Sequence, residues 1–349
     1  MKRKTLYFTA PRQVELCEET LPLLGADDVL VETICSAISA GTEMLIYQGR
    51  FPLDLETDSV ISSLRGGFKY PLAYGYACVG RVKEVGKEVN TDWLNKLVFS
   101  FQPHTTHFVS QTEFIFPLPE LVSCETAAFL PNVETAVNLV QDGAPIIGER
   151  VLVLGQGVVG LLTASLLKEF PLEELVTVDC YELRREASIA LGVESSFNSE
   201  DRDFDKKIAR MDHSKDDQVL SAYTQRKFDL VFELSGNPSA LDNALTLTYF
   251  SGRIVIGSWY GEKKTEVSLG RAFHRSRIKL ISSQVSTIAP ELSGRWDKAR
   301  RFDVAWKALE RIKPDKWITH QFPIEKAAEA YQLLDEDPQE TIQVLITYS

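Results

Sequence analysis

Cysteine is sparse in this chain of 349 residues: there are five, at positions 17, 35, 78, 124 and 180, odd in number and never closely spaced. That pattern excludes a disulfide framework and a clustered metal clip, and points to reduced thiols in a cytoplasmic protein. Positive charge is in deficit as well, with 38 Lys and Arg against 49 Asp and Glu and a net charge of −11. Such a balance argues against nucleic acid or an anionic membrane surface as partner. Long apolar runs are lacking too. The longest, Val151 to Leu167, is interrupted by three glycines and Gln156, and it falls short of the roughly 20 residues that a membrane helix needs. The basic start Met1-Lys-Arg-Lys4 leads into an alternating segment with Pro11 and Arg12, not into the apolar core of a secretion signal. There is no internal repeat and no low-complexity segment.

What is present is ordinary globular material, 44% hydrophobic and 25% charged. The length suits two domains at roughly 100 to 200 residues each. From residue 1 to about 130, short alternating or apolar segments broken by Gly, Pro and Asp predict strands at Thr5 to Thr9, Val29 to Ala37, Ala77 to Val85, Leu97 to Phe101 and Phe108 to Val109. Gln48 to Asp58 and Ser62 to Tyr70 read as loops bordering a site. After Glu134 the texture becomes α/β: buried parallel strands are expected at Arg150 to Leu154, Leu175 to Asp179, Leu230 to Leu234, Arg253 to Gly257 and Lys279 to Ser282, joined by crossover helices. Asn198 to Asp217 is highly charged and reads as a solvated surface helix and loop. Helices over Asp297 to Ile312 and Glu325 to Asp335 and a strand over Thr341 to Tyr348 close the chain.

The strongest chemical signal is Val151-Leu-Val-Leu-Gly155-Gln156-Gly157-Val158-Val159-Gly160, an apolar strand running into GxGxxG and then a helix. Gly155 permits a tight turn, Gly157 lets backbone approach a pyrophosphate, and Gly160 allows the helix to pack closely on the strand. Asp179 follows 19 residues after Gly160, at the end of an apolar strand. A carboxylate there accepts hydrogen bonds from the ribose hydroxyls of NAD and repels the 2′-phosphate of NADP, so NAD is the expected cofactor. Asp179 also suits a helix N-cap, and Arg184 and Arg185 are the residues that would favour NADP instead. Ser235, Gly236 and Gly257 end two further apolar strands; they either leave room for a nicotinamide ring or only make turns.

These residues resemble the medium-chain dehydrogenase/reductase superfamily over nearly the whole chain. Ser39-Ala-Gly41-Thr42-Glu43 is similar to its Cys-Gly-Thr/Ser-Asp stretch, and Gly75-Tyr76-Ala77 to its Gly-His-Glu stretch. Pro131-Asn132-Val-Glu134-Thr135 and Ile318 to Tyr331 are similar to its domain junction and its C-terminal signature. The resemblance implies a GroES-like β domain, residues 1–132 and 280–349, plus a Rossmann doubly wound parallel sheet, residues 133–279. It also implies a nicotinamide cofactor, a small-molecule substrate and a cytoplasmic homodimer joined edge to edge through the Rossmann sheets. The departure concerns the metal. The positions of the zinc ligands carry Ala40, Tyr76, Ala77 and Pro131, none of which can ligate, and Ser39 or Cys35 could replace only the first. The run of cysteines that forms a structural zinc lobe is also missing between Phe99 and Glu120. A zinc-less member is expected. A looser likeness to the dehydrogenase that oxidises the hydroxyethyl group of bacteriochlorophyllides rests on the Gly-Thr-Glu stretch and implies a larger alcohol or polyol-like substrate.

Without a Lewis acid, charge on the substrate oxygen falls to hydrogen-bond donors. Tyr76 is the first candidate, with simple packing as its alternative. Glu43 either orients a proton relay or caps a turn. His104 is a candidate proton shuttle near neutral pH, ahead of His107. Thr42, Tyr47, Asn132 and Trp259 are candidates for the substrate cleft, and Thr135 for the cofactor. The alternatives to an alcohol dehydrogenase-like enzyme are an NADPH-dependent quinone or alkene reductase and a nucleotide-binding protein without turnover.

Overall fold

The computed structural model describes residues 1–52, 67–201, 204 and 227–348. Parts of the two expected loops and most of the charged segment Asn198 to Asp217 lie outside the described residues. The chain divides into two units, Met1–Val133 with Phe302–Ser349, and Glu134–Arg301.

The first unit opens with β1 (Lys2–Ala10), which turns at Arg12, in the left-handed region, into antiparallel β2 (Gln13–Thr20). The second of these strands escapes sequence reading because its exposed face is mostly charged, while Leu6 and Phe8 of β1 carry the burial. β3 (Asp28–Ala37) runs into α1 (Ala40–Tyr47), and β4 (Leu72–Ala73) adds a third strand beside β1. β5 (Cys78–Val85), β6 (Leu97–Ser100), β7 (His107–Gln111) and β8 (Ile115–Pro117) complete the antiparallel part. Residues two apart along these strands share a face, so Val29 and Val31, Cys78 and Val82, Val98, Phe108 and Ile115 meet in one core. Two helices follow, α2 (Cys124–Ala127) and α3 (Leu130–Gly143).

The second unit alternates strand and helix: β9 (Arg150–Leu154), α4 (Val158–Leu167), β10 (Glu174–Val178), α5 (Glu182–Ala190), β11 (Ser195–Phe197), β12 (Phe228–Glu233), α6 (Ala240–Leu247), β13 (Thr248–Ile256) and β14 (Lys279–Ser282). All six strands are parallel, in the order β11-β10-β9-β12-β13-β14. Runs such as Val151-Leu-Val-Leu154, fully apolar and buried, require cover on both faces, which crossover helices supply. The strand order reverses between β9 and β12, and ligands of doubly wound sheets bind at that switch point.

The second unit runs to Arg301, where a buried ion pair joins its end to α3. The Arg301 guanidinium has no exposure; it donates to Glu134 Oε1 at 2.7 and 3.0 Å, to Asn138 Oδ1 at 2.6 Å, and to the carbonyls of Thr287 and Val285. Residues 285–301 are thereby tied to α3. Burial pushes the Glu134 carboxyl up from its ordinary range, and Arg301 opposes that shift. Glu134→Ala leaves the guanidinium buried without its carboxylate, and the expected cost is about 3–5 kcal/mol in urea unfolding; a loss under 1 kcal/mol would refute the anchoring role.

The chain then returns to the first unit through α7 (Lys298–Ile312), β15 (Ile318–Pro323), α8 (Ala327–Glu336) and β16 (Gln343–Thr347). β15 and β16 extend a sheet ordered β15-β16-β3-β5-β6-β8, with β7 paired to β3. Together the units form a GroES-like β domain and a Rossmann α/β domain. Among the described residues no helix is long and apolar enough to cross a membrane.

Candidate functional site

In the second unit, the turn after β9 is shaped for a phosphate. Gly155 has φ +92°, and a Cβ there would lie 2.6 Å from the backbone of Leu234 and Ser235. A Cβ on Gly160 would lie 1.9 Å from the Gly155 carbonyl oxygen. Gly157 is the opposite case: it is the N-cap of α4, and a Cβ on it would meet nothing within 4 Å. No side chain caps that helix and no acidic residue stands in its first turn, so the N–H groups around Val158 and Val159 face an open space with the dipole's positive end. Gln156 is fully buried; its Nε2 donates to Gly155 O at 2.9 Å, and its Oε1 has no partner. These features fit a dinucleotide.

Asp179 follows the last residue of β10. Its Oδ2 accepts from Gln156 N–H at 2.7 Å and its Oδ1 from Tyr181 N–H at 2.9 Å, so one carboxylate braces both the glycine turn and the start of α5. The helix-start role expected of Asp179 is met by the bond from Tyr181. The Arg184 guanidinium lies over the Tyr181 ring at 4.7 Å, and Arg185 Nη1 donates to the carbonyls of Asp179 and Cys180 at 3.1 and 2.7 Å.

At the ends of β12 and β13, the N–H and O–H of Ser235 both donate to Glu233 Oε1. Gly236, at φ +68°, has open space where a Cβ would stand, and its N–H donates to Ser258 Oγ at 2.9 Å. Gly257 packs against the core. A Cβ there would lie 2.5 and 2.6 Å from the side chains of Leu139 and Leu234, so the glycine admits the close approach of these leucines. Trp259 and Thr135 are both half-buried.

In the first unit, α1 is held in an unusual way. The N-cap Ser39 makes no side-chain cap; its N–H donates to Glu43 Oε1 at 2.7 Å, and its hydroxyl accepts from Tyr76 O–H at 2.5 Å. Thr42 Oγ1 lies 3.3 Å from the same phenol. The half-buried Tyr76 thus has two hydroxyls at its oxygen.

Glu43, read as a relay residue or a turn cap, and His104, read as a proton shuttle, are both fully buried. Glu43 Oε2 accepts from His104 Nε2–H at 2.9 Å and from Tyr331 O–H at 2.5 Å. His104 Nδ1 lies 2.6 Å from Ser36 Oγ, which lies 2.7 Å from the Tyr348 hydroxyl. The order Ser36–His104–Glu43 has the connectivity of an acyl-transfer triad, yet the serine is sealed from solvent, so the group holds structure. Gly75, at φ +120°, admits the imidazole: a Cβ there would lie 2.8 Å from the ring. Burial raises the phenols of Tyr331 and Tyr348 well above their usual range. Tyr47, read as a cleft residue, is buried and stacks on Tyr331 with ring centroids 5.5 Å apart. Asn132 is buried in the first turn of α3. His107 sits at the start of β7, 3.9 Å from Glu32, and burial lowers its pKa. Sequence reading missed Tyr331 and Tyr348, for which no local pattern signals a partner 288 or 312 residues away.

Three of the positions matching the family's zinc ligands carry no donor side chain. Ala40 begins α1, Ala77 is buried, and Pro131 lies in the first turn of α3. Among the described residues no three His, Cys, Asp or Glu side chains come together in a way that could hold a metal.

Comparison with known proteins agrees with the architecture. Residues 158–302 match the zinc-binding dehydrogenase family. D-guloside 3-dehydrogenase of Escherichia coli K12 is 22% identical over 360 residues, covering 99% of this chain and 100% of that protein. The fold is shared with the alcohol dehydrogenase rspB of Escherichia coli CFT073 complexed with NADH, at TM-score 0.77 and 21% identity, covering 99% of both chains. It is also shared with a zinc-binding dehydrogenase of Sinorhizobium meliloti 1021 bound to NADP, at TM-score 0.75 and 17% identity, again covering 99% of both. With a glycine turn on a six-stranded parallel sheet in one unit and a GroES-like sheet in the other, this chain has the fold of the alcohol dehydrogenase-like oxidoreductases, and its residues 158–302 are similar to the zinc-binding dehydrogenase family.

Proposed function

We propose that the protein is an NAD-linked dehydrogenase that interconverts an alcohol and a carbonyl without catalytic zinc, with the Tyr76 hydroxyl handling the proton at the substrate oxygen. The observation that carries the reading is the hydroxyl cluster of Tyr76, Ser39 and Thr42 at the positions where the family's ligands would stand. Bound nicotinamide supplies the hydride acceptor or donor. Asp179, through its remaining lone pairs, would hold the ribose hydroxyls, and the uncapped start of α4 would hold the pyrophosphate. In carbonyl reduction Tyr76 turns its O–H from Ser39 Oγ to the substrate oxygen, while Ser39 and Thr42 turn to donate to the phenolic oxygen. A proton given to substrate is then replaced through Ser39 or Thr42. Alcohol oxidation runs the same path in reverse.

The preference for NAD rests on Asp179, whose charge opposes a 2′-phosphate. The edge strand β14, unpaired on one side among the described residues, supports the homodimer that the family implies. Binding of NADH and NADPH, followed by nucleotide fluorescence on protein assayed for zinc and sized by sedimentation, tests these readings together. Expected are tight NADH binding, NADPH at least about tenfold weaker, no stoichiometric metal and the mass of two chains. NADPH preference would favour a quinone or alkene reductase, stoichiometric zinc would end the metal-free mechanism, and the mass of one chain would end the dimer.

A further inference from the structure

Glu233, the last residue of β12, is a fully buried carboxylate without an ion pair among the described residues. Its partners are all donors: Ser235 N–H at 2.9 Å and Ser235 O–H on Oε1, and Tyr260 O–H at 2.5 Å on Oε2. Both carboxyl oxygens are thus held by donors alone, among the described residues. The Glu233 main-chain oxygen accepts from Gly257 N–H at 3.1 Å and Ser258 O–H at 3.4 Å, and the ammonium of Lys263 goes to Gly236 O at 2.8 Å. Burying a carboxylate is costly, and sheet packing does not call for one here, since an apolar side chain would fill the same place.

Position suggests what the charge does. Glu233 pairs in register with Leu154, the residue before Gly155, and so stands at the switch point of the sheet. With the adenosine ribose at Asp179 on the β10 side and the pyrophosphate at the glycine turn, the nicotinamide half of a dinucleotide falls over the ends of β12 and β13. That ring carries a positive charge when oxidised and none when reduced. We propose that the buried negative charge of Glu233 makes the nucleotide unit favour NAD+ over NADH, with Tyr260 holding the carboxylate in place beneath the nicotinamide half. The inference rests on the nicotinamide-binding reading above. It implies that the equilibrium between the two bound forms is shifted toward the oxidised cofactor.

Separate dissociation constants for NAD+ and NADH, measured by calorimetry on the full chain, test this. Glu233→Gln is expected to weaken NAD+ relative to NADH, moving the ratio of the two constants by about tenfold. Tyr260→Phe keeps the charge and loosens the two strand-end loops, so it should raise both constants together and leave their ratio unchanged. Glu233→Met, apolar and of similar length, repeats the measurement if the Gln variant does not fold. A ratio equal to that of the parent protein in the charge-removing variants overturns the proposal even if both nucleotides bind more weakly. Failure of the parent protein to bind either nucleotide overturns the underlying cofactor reading, and this inference with it.

Discussion

Tyr76→Phe is expected to lower kcat by about 10²- to 10⁴-fold, the range for losing a positioned proton donor, with NADH affinity unchanged. The substitution removes one oxygen and keeps the ring, which packs edge-on against Tyr74 at 6.0 Å, so the fold has little reason to change. What is lost is the atom that Ser39 and Thr42 surround. In energy the effect corresponds to about 3–5 kcal/mol of transition-state stabilisation. Steady-state rates on a screened alcohol or ketone, set beside nucleotide titrations, separate the two roles. A phenylalanine variant within a factor of about three of the parent would mean that Tyr76 only packs.

The second large effect is a contrast between two glycines three residues apart. Gly157→Ala places a methyl group in space that is empty to 4 Å, at φ −65°, which alanine adopts freely. Stability should hold or rise by up to about 1 kcal/mol, while NADH affinity falls by about 100-fold or more because the methyl takes the space of the pyrophosphate. Gly160→Ala places its methyl 1.9 Å from the Gly155 carbonyl oxygen, a backbone atom that cannot step aside. Both properties should fall, stability by about 3 kcal/mol. Calorimetric Tm and NADH titration on the two variants give the answer; a Gly157→Ala protein that binds NADH like the parent would remove the phosphate role from this turn.

Where reading from sequence worked, the signal was local. The strands Arg150–Leu154 and Lys279–Ser282 stand where their apolar runs placed them, and the glycine pattern of the nucleotide turn has the geometry its spacing implied. β2 was hidden by its glutamates. His104 and Glu43, taken separately from sequence as a proton shuttle and as a relay or turn cap, meet each other in the buried interior. A histidine with a carboxylate partner reads the same in sequence whether it lies beside substrate or under a helix, and only burial separates the two. Gly257 is a similar case, since a glycine signals a close approach without naming what approaches.

Composition, periodicity and glycine spacing by themselves therefore determined the two-domain α/β architecture and the turn and carboxylate of the dinucleotide cradle, because each depends on residues within a few turns of chain. The tertiary structure alone decided the rest. Arg301 closes on Glu134 across 167 residues and joins the end of the nucleotide unit to α3. Tyr331 and Tyr348 arrive from the end of the chain to seal Glu43 and His104, and Tyr260 folds back onto Glu233. Buried polar groups must find partners wherever the packed chain supplies them, and no local pattern encodes which distant residue that will be.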